Sequence, residues 1–530
     1  MKNKFIYLSL LAAGLIACEP EFNNEVTNAS YSAGDADFSS YVAIGNSLTA
    51  GYMDGTMSRG GQMYSFPNLL SQQFAVVGGG AFTQPSYDDD VNDYGGLVFN
   101  GQPLLDDEVN RFPTRLIINA TAGGPETING TSTIDLANQQ AMAYNNMGVP
   151  GAKSFHLLAS GYGNLAGVPS GQANPYFARH ATSPTATVMG DAMTKNPTFF
   201  TNWIGSNDVL SFATSGGVGV DQTGNLDPST YGGNDITDPN VFAATYSAIT
   251  DMLTSGGAKG VVATIPDVTS IPFFTTVPYN PLTTNLLGGG DSQVGAATMT
   301  QLNQQLYSVL DQILTNFGAG DRINALDLGA ANPLLIKDES LTDLSAQITA
   351  VASTIPQYAP IADFLGQTYG QARQATANDL VLLTTRGVIG TAPAGVPAPF
   401  NSFGITYPLQ DSHVLTAAEG EMVKVATTSY NNTIKAIAAS KGLAVADMNA
   451  ILNQLVSGLR VEDGQIYTAD YFSTSALNTT VFSLDGVHPN ARGYAMVANE
   501  IIKVINSYYN AKLPNIVPGY YPGATVLPTN

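Results

Sequence analysis

"YVAIGNSLTAGY", residues 41–52, is the stretch on which the reading of this chain depends. A short run of strand character, Tyr41 to Ile44, stops at Gly45, and Ser47 follows two positions later. A strand that ends by presenting a hydroxyl raises a chemical question, because serine is a poor nucleophile near neutral pH. It needs a base within hydrogen-bond reach, a group that orients the base, and donors for the oxyanion formed on attack. Whether Ser47 is more than a turn residue depends on whether the chain supplies all three.

The chain holds four histidines, so the candidates for a base are few. His156, in "AKSFHLLASG", has the setting of a helix or core residue, and His180, in "YFARHATS", that of a loop. His413, in "LQDSHVLTAAE", has Asp411 two residues before it and a helix start after it. His488, in "FSLDGVHPNARGYAMVANEI", is the best placed: Asp485 stands three residues earlier, Pro489 stiffens the next step, and a helix follows. A carboxylate and an imidazole on one tight loop can meet directly. The aspartate can then fix the ring tautomer and stabilise the imidazolium, as a triad requires. Read alone, the same segment is also a capping turn that happens to contain a histidine.

Four short blocks occur in order: Gly45-Asn46-Ser47-Leu48, "NMGVPG" (146–151), "GSND" (205–208) and "DGVHPN" (485–490). Together they resemble the sequence blocks of the SGNH, or GDSL-type, serine hydrolases; the resemblance covers the core elements and leaves the segments between them unaccounted for. It implies that Ser47 is the nucleophile and that Asp485 and His488 complete the triad. It also implies an oxyanion hole made by the backbone N–H groups of Ser47 and Gly151 and the side-chain amide of Asn207, with Asp208 holding its loop in place. Asn46 stands where the family usually has aspartate. That position is not the triad acid, and asparagine keeps a carbonyl acceptor of similar shape while losing the charge. The sole tryptophan, Trp203, just ahead of the third block, reads as a packing residue before a substrate platform.

The fold implied by the resemblance is a three-layer α/β/α sandwich with a parallel, flavodoxin-like sheet of five strands. The sequence agrees, because β-rich runs at 41–47, 198–208, 258–268 and 442–448 are spaced between helical patterns, as in βαβ units. The catalytic domain is expected over 38–512, enlarged by insertions at about 83–140, 156–195, 210–240 and 270–412 that pack over the strand ends as a cap. "GAATMTQLNQQLYSVLDQILTNFG", inside the last of these, reads as one amphipathic helix. The Pro- and Gly-rich tail 513–530 reads as extended along the surface.

Composition bounds the partners. The chain of 530 residues is 44% hydrophobic and only 12% charged, with 54 glycines and a formal net charge of −21. That balance argues against a nucleic-acid groove and against polybasic attachment to anionic lipid. Lys2, Lys4 and the apolar run "FIYLSLLAAGLIA" read as an export signal over 1–18, ending in "LIAC", which looks like a bacterial lipobox with Cys18 as the lipidated residue. Cys18 is the only cysteine, so no internal disulfide can form. Residues 19–37 read as a polar tether. The expectation is an extracytoplasmic lipoprotein, held on a membrane through Cys18, in the outer membrane of a Gram-negative bacterium. No Cys/His cluster suits zinc, and no dinucleotide or P-loop fingerprint is present, so neither metal nor cofactor is implied. The acidic loops 87–96 and 221–240 gather carboxylates as calcium loops do, without the EF-hand spacing.

By resemblance, the reaction is ester hydrolysis through an acyl-enzyme, by a lipase or esterase acting on acyl lipids or other exposed esters, with a carbohydrate deacetylase as the nearest variant. The rival is a surface lipoprotein with a vestigial site that binds glycan, lipid or an outer-membrane protein partner.

Overall fold

The computed structural model describes residues 30–527 except 107, 120, 122–123, 462–463 and 474–475. The expected export signal, Cys18 and the first part of the tether lie outside the described residues. Five parallel strands form the central sheet: β1 (Tyr41–Gly45), β2 (Asn146–Gly148), β3 (Phe199–Trp203), β4 (Lys259–Ala263) and β5 (Ala444–Ala446). Their spatial order is β2-β1-β3-β4-β5, so β1 lies inside the sheet and the order reverses beside it. Gly45 pairs with Gly148 on one side and Trp203 on the other, which brings three strand ends to one level. In open α/β sheets such a reversal leaves a crevice at the carboxyl ends of the strands.

Alternation along the strands sorts residues between two helical layers. Val42, Ile44, Phe200 and Val262 face helices α3 (Asn207–Thr214), α4 (Pro239–Thr254) and α5 (Ala417–Lys441). Tyr41, Ala43, Phe199 and Val261 face α2 (Phe66–Ala75) and α7 (Ala491–Tyr508), with α6 (Met448–Val456) completing that side. A short helix, α1 (Ser47–Ala50), is a single turn after β1. Each large aliphatic or aromatic side chain buried here stabilises the fold by about 1.5–3 kcal/mol. Helix α5 begins where Thr416 and Glu419 cap one another and ends at Gly442, whose φ of 62° is left-handed.

The largest insertion, 270–412, builds a core of its own from Leu310, Leu314, Leu335, Ile348, Leu365 and Tyr369. The helix expected over its amphipathic stretch is present as Ser292–Leu302 and Ser308–Asn316, joined by a π turn at Asn303–Tyr307. Arg373 links this unit internally, with 2.6 Å contacts to both Asp338 and Asp379. At the chain ends, Ser32 exchanges backbone hydrogen bonds with Lys512, so the chain is docked from there onward. In the tail, Val526 pairs in parallel with Ile118 of the 83–140 insertion.

Candidate active site

The turn after β1 is shaped by what does not fit in it. A Cβ on Gly45 would lie 2.1 Å from Thr49 Oγ1 and 2.8 Å from the Trp203 carbonyl oxygen, so only glycine allows the strand to end here. Asn46 then caps α1: its Oδ1 accepts from the Leu48 N–H at 3.1 Å. The carbonyl therefore does the work expected of it. The Asn46 Nδ2 is buried and has no partner among the described residues. Ser47 is left at the start of the helix, 6% exposed.

Two loops more than four hundred residues apart converge on that serine. His488 Nε2 is 2.8 Å from Ser47 Oγ, and His488 Nδ1 is 2.9 Å from Asp485 Oδ2. Asp485 Oδ1 accepts from the backbone N–H groups of Val487 and His488, both at 2.9 Å. Burial works to raise the Asp485 carboxyl. The charge of His488 and the hydrogen bonds from His488 and Val487 outweigh it and hold the group at about 2. An ionised aspartate on Nδ1 leaves Nε2 free to accept the serine proton.

What joins the loops is a clamp that the sequence reading missed. Asp54 Oδ1 accepts from Leu484 N–H at 3.0 Å, Asp54 N–H donates to Ser483 Oγ at 3.0 Å, and Gly55 N–H donates to Asp485 Oδ2 at 3.0 Å. The ring of Tyr52 lies against that of His488, with centroids 4.6 Å apart. Burial, assisted by the Asp485 charge and opposed by the Leu484 hydrogen bond and Arg115, pushes the Asp54 carboxyl up to about 7. The only cue in the sequence is the turn-like "GYMDG" after the first block, which nothing local connects to residue 484. Gly486 is fixed from outside: its φ is 71°, and a Cβ there would lie 2.8 Å from Leu383 and 3.1 Å from the Phe273 nitrogen, both in the largest insertion.

The second loop beside Ser47 carries the donors. Gly148 admits no side chain, since a Cβ would lie 2.3 Å from the Ala50 nitrogen. A Cβ on Gly151 would meet only Asn174 Nδ2, at 3.8 Å, and glycine suits the position because φ is 79°. Among the described residues, the backbone N–H groups of Ser47 and Gly151 find no acceptor. Asn207, at the start of α3, donates from Nδ2 to the Ala152 carbonyl at 2.9 Å, which fixes the amide and leaves its second N–H. Asp208 is fully buried and accepts from both Ser154 N–H and Ser154 Oγ at 2.8 Å, so it ties this loop to α3. Burial raises the Asp208 carboxyl against those bonds and the nearby Lys153.

Ser47, Gly151, Asn207 and His488 line one cleft of about 990 Å³. Arg111 and Phe112, the segment 158–176, and 228–233 form much of its walls, so three of the four insertions contribute; 270–412 contributes no lining residue. His156 lies in this wall, its ring stacked on Tyr162 at 4.6 Å, and burial and the Lys153 charge lower it to about 4. His180 is buried in the core, and burial lowers it to about 3. His413 accepts at Nδ1 from Gln410 N–H in a short capping turn and takes no part in the cleft. Trp203 is buried, donates to the Thr264 carbonyl at 3.1 Å and packs edge-on against Phe66.

The acidic loops are occupied by their own donors. Asp90 accepts from Arg59, Tyr94 and Gly95 N–H groups, and Asp89 is paired with Arg179 at 2.7 Å. Asp235 accepts from Val220 and Gly232 N–H groups, and Asp238 caps α4. Among the described residues no group of three or more His, Cys, Asp or Glu is placed to hold a metal ion.

Comparison with protein families matches residues 41–501 to the family described as GDSL-like Lipase/Acylhydrolase. Comparison with curated proteins and with solved structures returned no match.

Proposed function

Because the chain belongs to the GDSL-like lipase/acylhydrolase family, and is thereby a hydrolase of esters in general, we propose that it cleaves carboxylic esters through an acyl-enzyme on Ser47. The observation that carries this reading is the continuous relay from Ser47 Oγ through His488 to Asp485, at 2.8 and 2.9 Å. His488 Nε2 takes the serine proton as Oγ bonds to the ester carbonyl carbon. The oxyanion turns toward the free N–H groups of Ser47 and Gly151 and the Asn207 amide. When the tetrahedral intermediate collapses, the bond to the alcohol oxygen breaks and His488 returns its proton to that oxygen. Water then repeats the sequence in reverse, giving up a proton to His488 and releasing the acid and a free Ser47. Each oxyanion donor contributes about 3 kcal/mol to the transition state.

The test is turnover of 4-nitrophenyl butyrate by the wild type and by Ser47→Ala. The proposal expects hydrolysis that Ser47→Ala abolishes. No hydrolysis, or hydrolysis equal in both proteins, contradicts it and favours a binding lipoprotein.

The proposed setting is outside the cytoplasm, on a membrane, through acylated Cys18. Support comes from "LIAC" after an apolar run and from the absence of any other cysteine. Among the described residues no helix is long and apolar enough to cross a membrane. Labelled palmitate should enter the wild type and not Cys18→Ser; an unlabelled wild type contradicts the anchor.

A further inference from the structure

A second cavity meets the first at the nucleophile. It has a volume of about 120 Å³ and shares Ser47, Asn207, Leu210 and His488 with the large cleft. Its walls are otherwise almost wholly apolar, and the sequence positions of those walls give its shape. Helix α6 contributes Met448, Ile451, Leu452 and Leu455, spaced i, i+3, i+4, i+7. Helix α7 contributes Gly493, Met496, Val497 and Glu500 with the same spacing. Residues so spaced lie along one face of a helix. The cavity is therefore a groove between two helical stripes. It starts where His488 and Pro489 lead into α7 and runs along that helix toward Glu500. From Gly493 to Glu500 the helix advances about 10 Å, the reach of an extended acyl chain of about eight carbons.

We infer that this groove holds the acyl chain of the ester, and that the protein acts on medium-chain acyl esters whose alcohol portion lies in the large cleft. The inference rests on the proposed ester hydrolysis and names its substrate class. The order of events assigns the two sides. The alcohol leaves first and water must replace it, so its side needs the roomier cleft with polar walls. The acyl chain stays through both steps, which suits the narrow apolar groove. Glycine at 493 lets the start of α7 pack directly on the wall formed by Val481 and Pro489, since a Cβ there would lie 2.9 Å from Pro489 and 2.2 Å from the Val481 carbonyl oxygen.

The experiment uses the whole protein and 4-nitrophenyl esters from acetyl to palmitoyl. In the wild type, kcat/KM should rise about two- to four-fold per added methylene up to about eight carbons, then level or fall. Val497→Trp and Ile451→Trp fill the groove from either helix, and each should lower the octanoyl-to-acetyl ratio of kcat/KM at least about ten-fold. A wild-type profile that is flat, or highest for acetyl, overturns the inference even if neither variant folds. A second series fixes the acyl group as butyryl and lengthens the alcohol. If Val497→Trp changes preference in that series and not in the first, the groove takes the alcohol and the inference is wrong. Absence of turnover with every ester counts against the hydrolase reading itself, whereas turnover without chain-length selectivity counts against the groove alone.

Discussion

Asp54 and Asp208 do parallel work on opposite sides of Ser47. Asp54 holds the loop of the triad through Leu484, and Asp208 holds the loop of the oxyanion donors through Ser154. Both are buried, and burial raises both. Their surroundings differ. Asp208 uses both oxygens on donors and has Lys153 nearby, which oppose the burial that raises it. Asp54 receives one backbone donor at Oδ1 and feels the charge of Asp485, which leaves it poised between neutral and ionised near pH 7. The oxyanion loop is thus fixed by a carboxyl with both oxygens engaged, and the triad loop by a carboxyl with a single backbone donor.

Substitutions can break that comparison, beginning with the largest effect. Ser47→Ala or His488→Ala should lower kcat at least about 10⁴-fold with little change in thermal unfolding, since both remove chemistry rather than packing. Asp208→Ala comes next. It leaves two buried Ser154 donors without an acceptor and frees the loop that carries Gly151. A loss of about 2–4 kcal/mol in stability and about 10²-fold in kcat/KM is expected, read by denaturant unfolding and steady-state kinetics. Asp54→Ala should cost about ten-fold in kcat/KM, while Asp54→Asn, which keeps an acceptor for Leu484, should stay within about three-fold. Asp208→Asn gives up one of two accepting oxygens and should be the worse of the two amides. Equal tolerance at both positions would erase the distinction.

The smallest effect is in pH dependence, and the two neighbouring carboxyls oppose one another. Asp54 is raised from its unfolded value to about 7, so its folded form prefers the proton. Its ionisation costs stability progressively as pH rises from about 4 to 7, and Asp54→Asn should remove that slope. Asp485 is depressed to about 2, so its contribution is present above pH 4 and disappears as pH falls toward 2. Unfolding free energy measured from pH 3 to 8 should therefore flatten in Asp54→Asn only above pH 4.

Four of the five strands and the reacting groups were legible because they are local; Asn146–Gly148, three residues long, reads only as a turn block. Strand, glycine and serine lie within seven residues of one another, and Asp485 lies three residues from His488, so short stretches carry both spacing and chemistry. The tertiary clamps were not. Nothing near Asp54 in the chain marks Leu484 as its partner, because the hydrogen bond exists only once α7 packs on the sheet that holds β1. The apolar groove was hidden for the same reason: the faces of α6 and α7 look like ordinary core until their shared opening beside His488 is seen. The insertions were visible as long segments, but not that 270–412 would wrap its own core and leave the cleft walls to the other three. The acceptor role of Asn46 follows from its side chain alone, whereas its Nδ2, without a partner among the described residues, becomes visible only with the fold in place.

The most direct test of the account is mass mapping of a fluorophosphonate adduct on the intact protein. The account predicts a single adduct, on the peptide containing Ser47, formed with the wild type and missing in both Ser47→Ala and His488→Ala. An adduct on another serine, or labelling at an undiminished rate in His488→Ala, would contradict it.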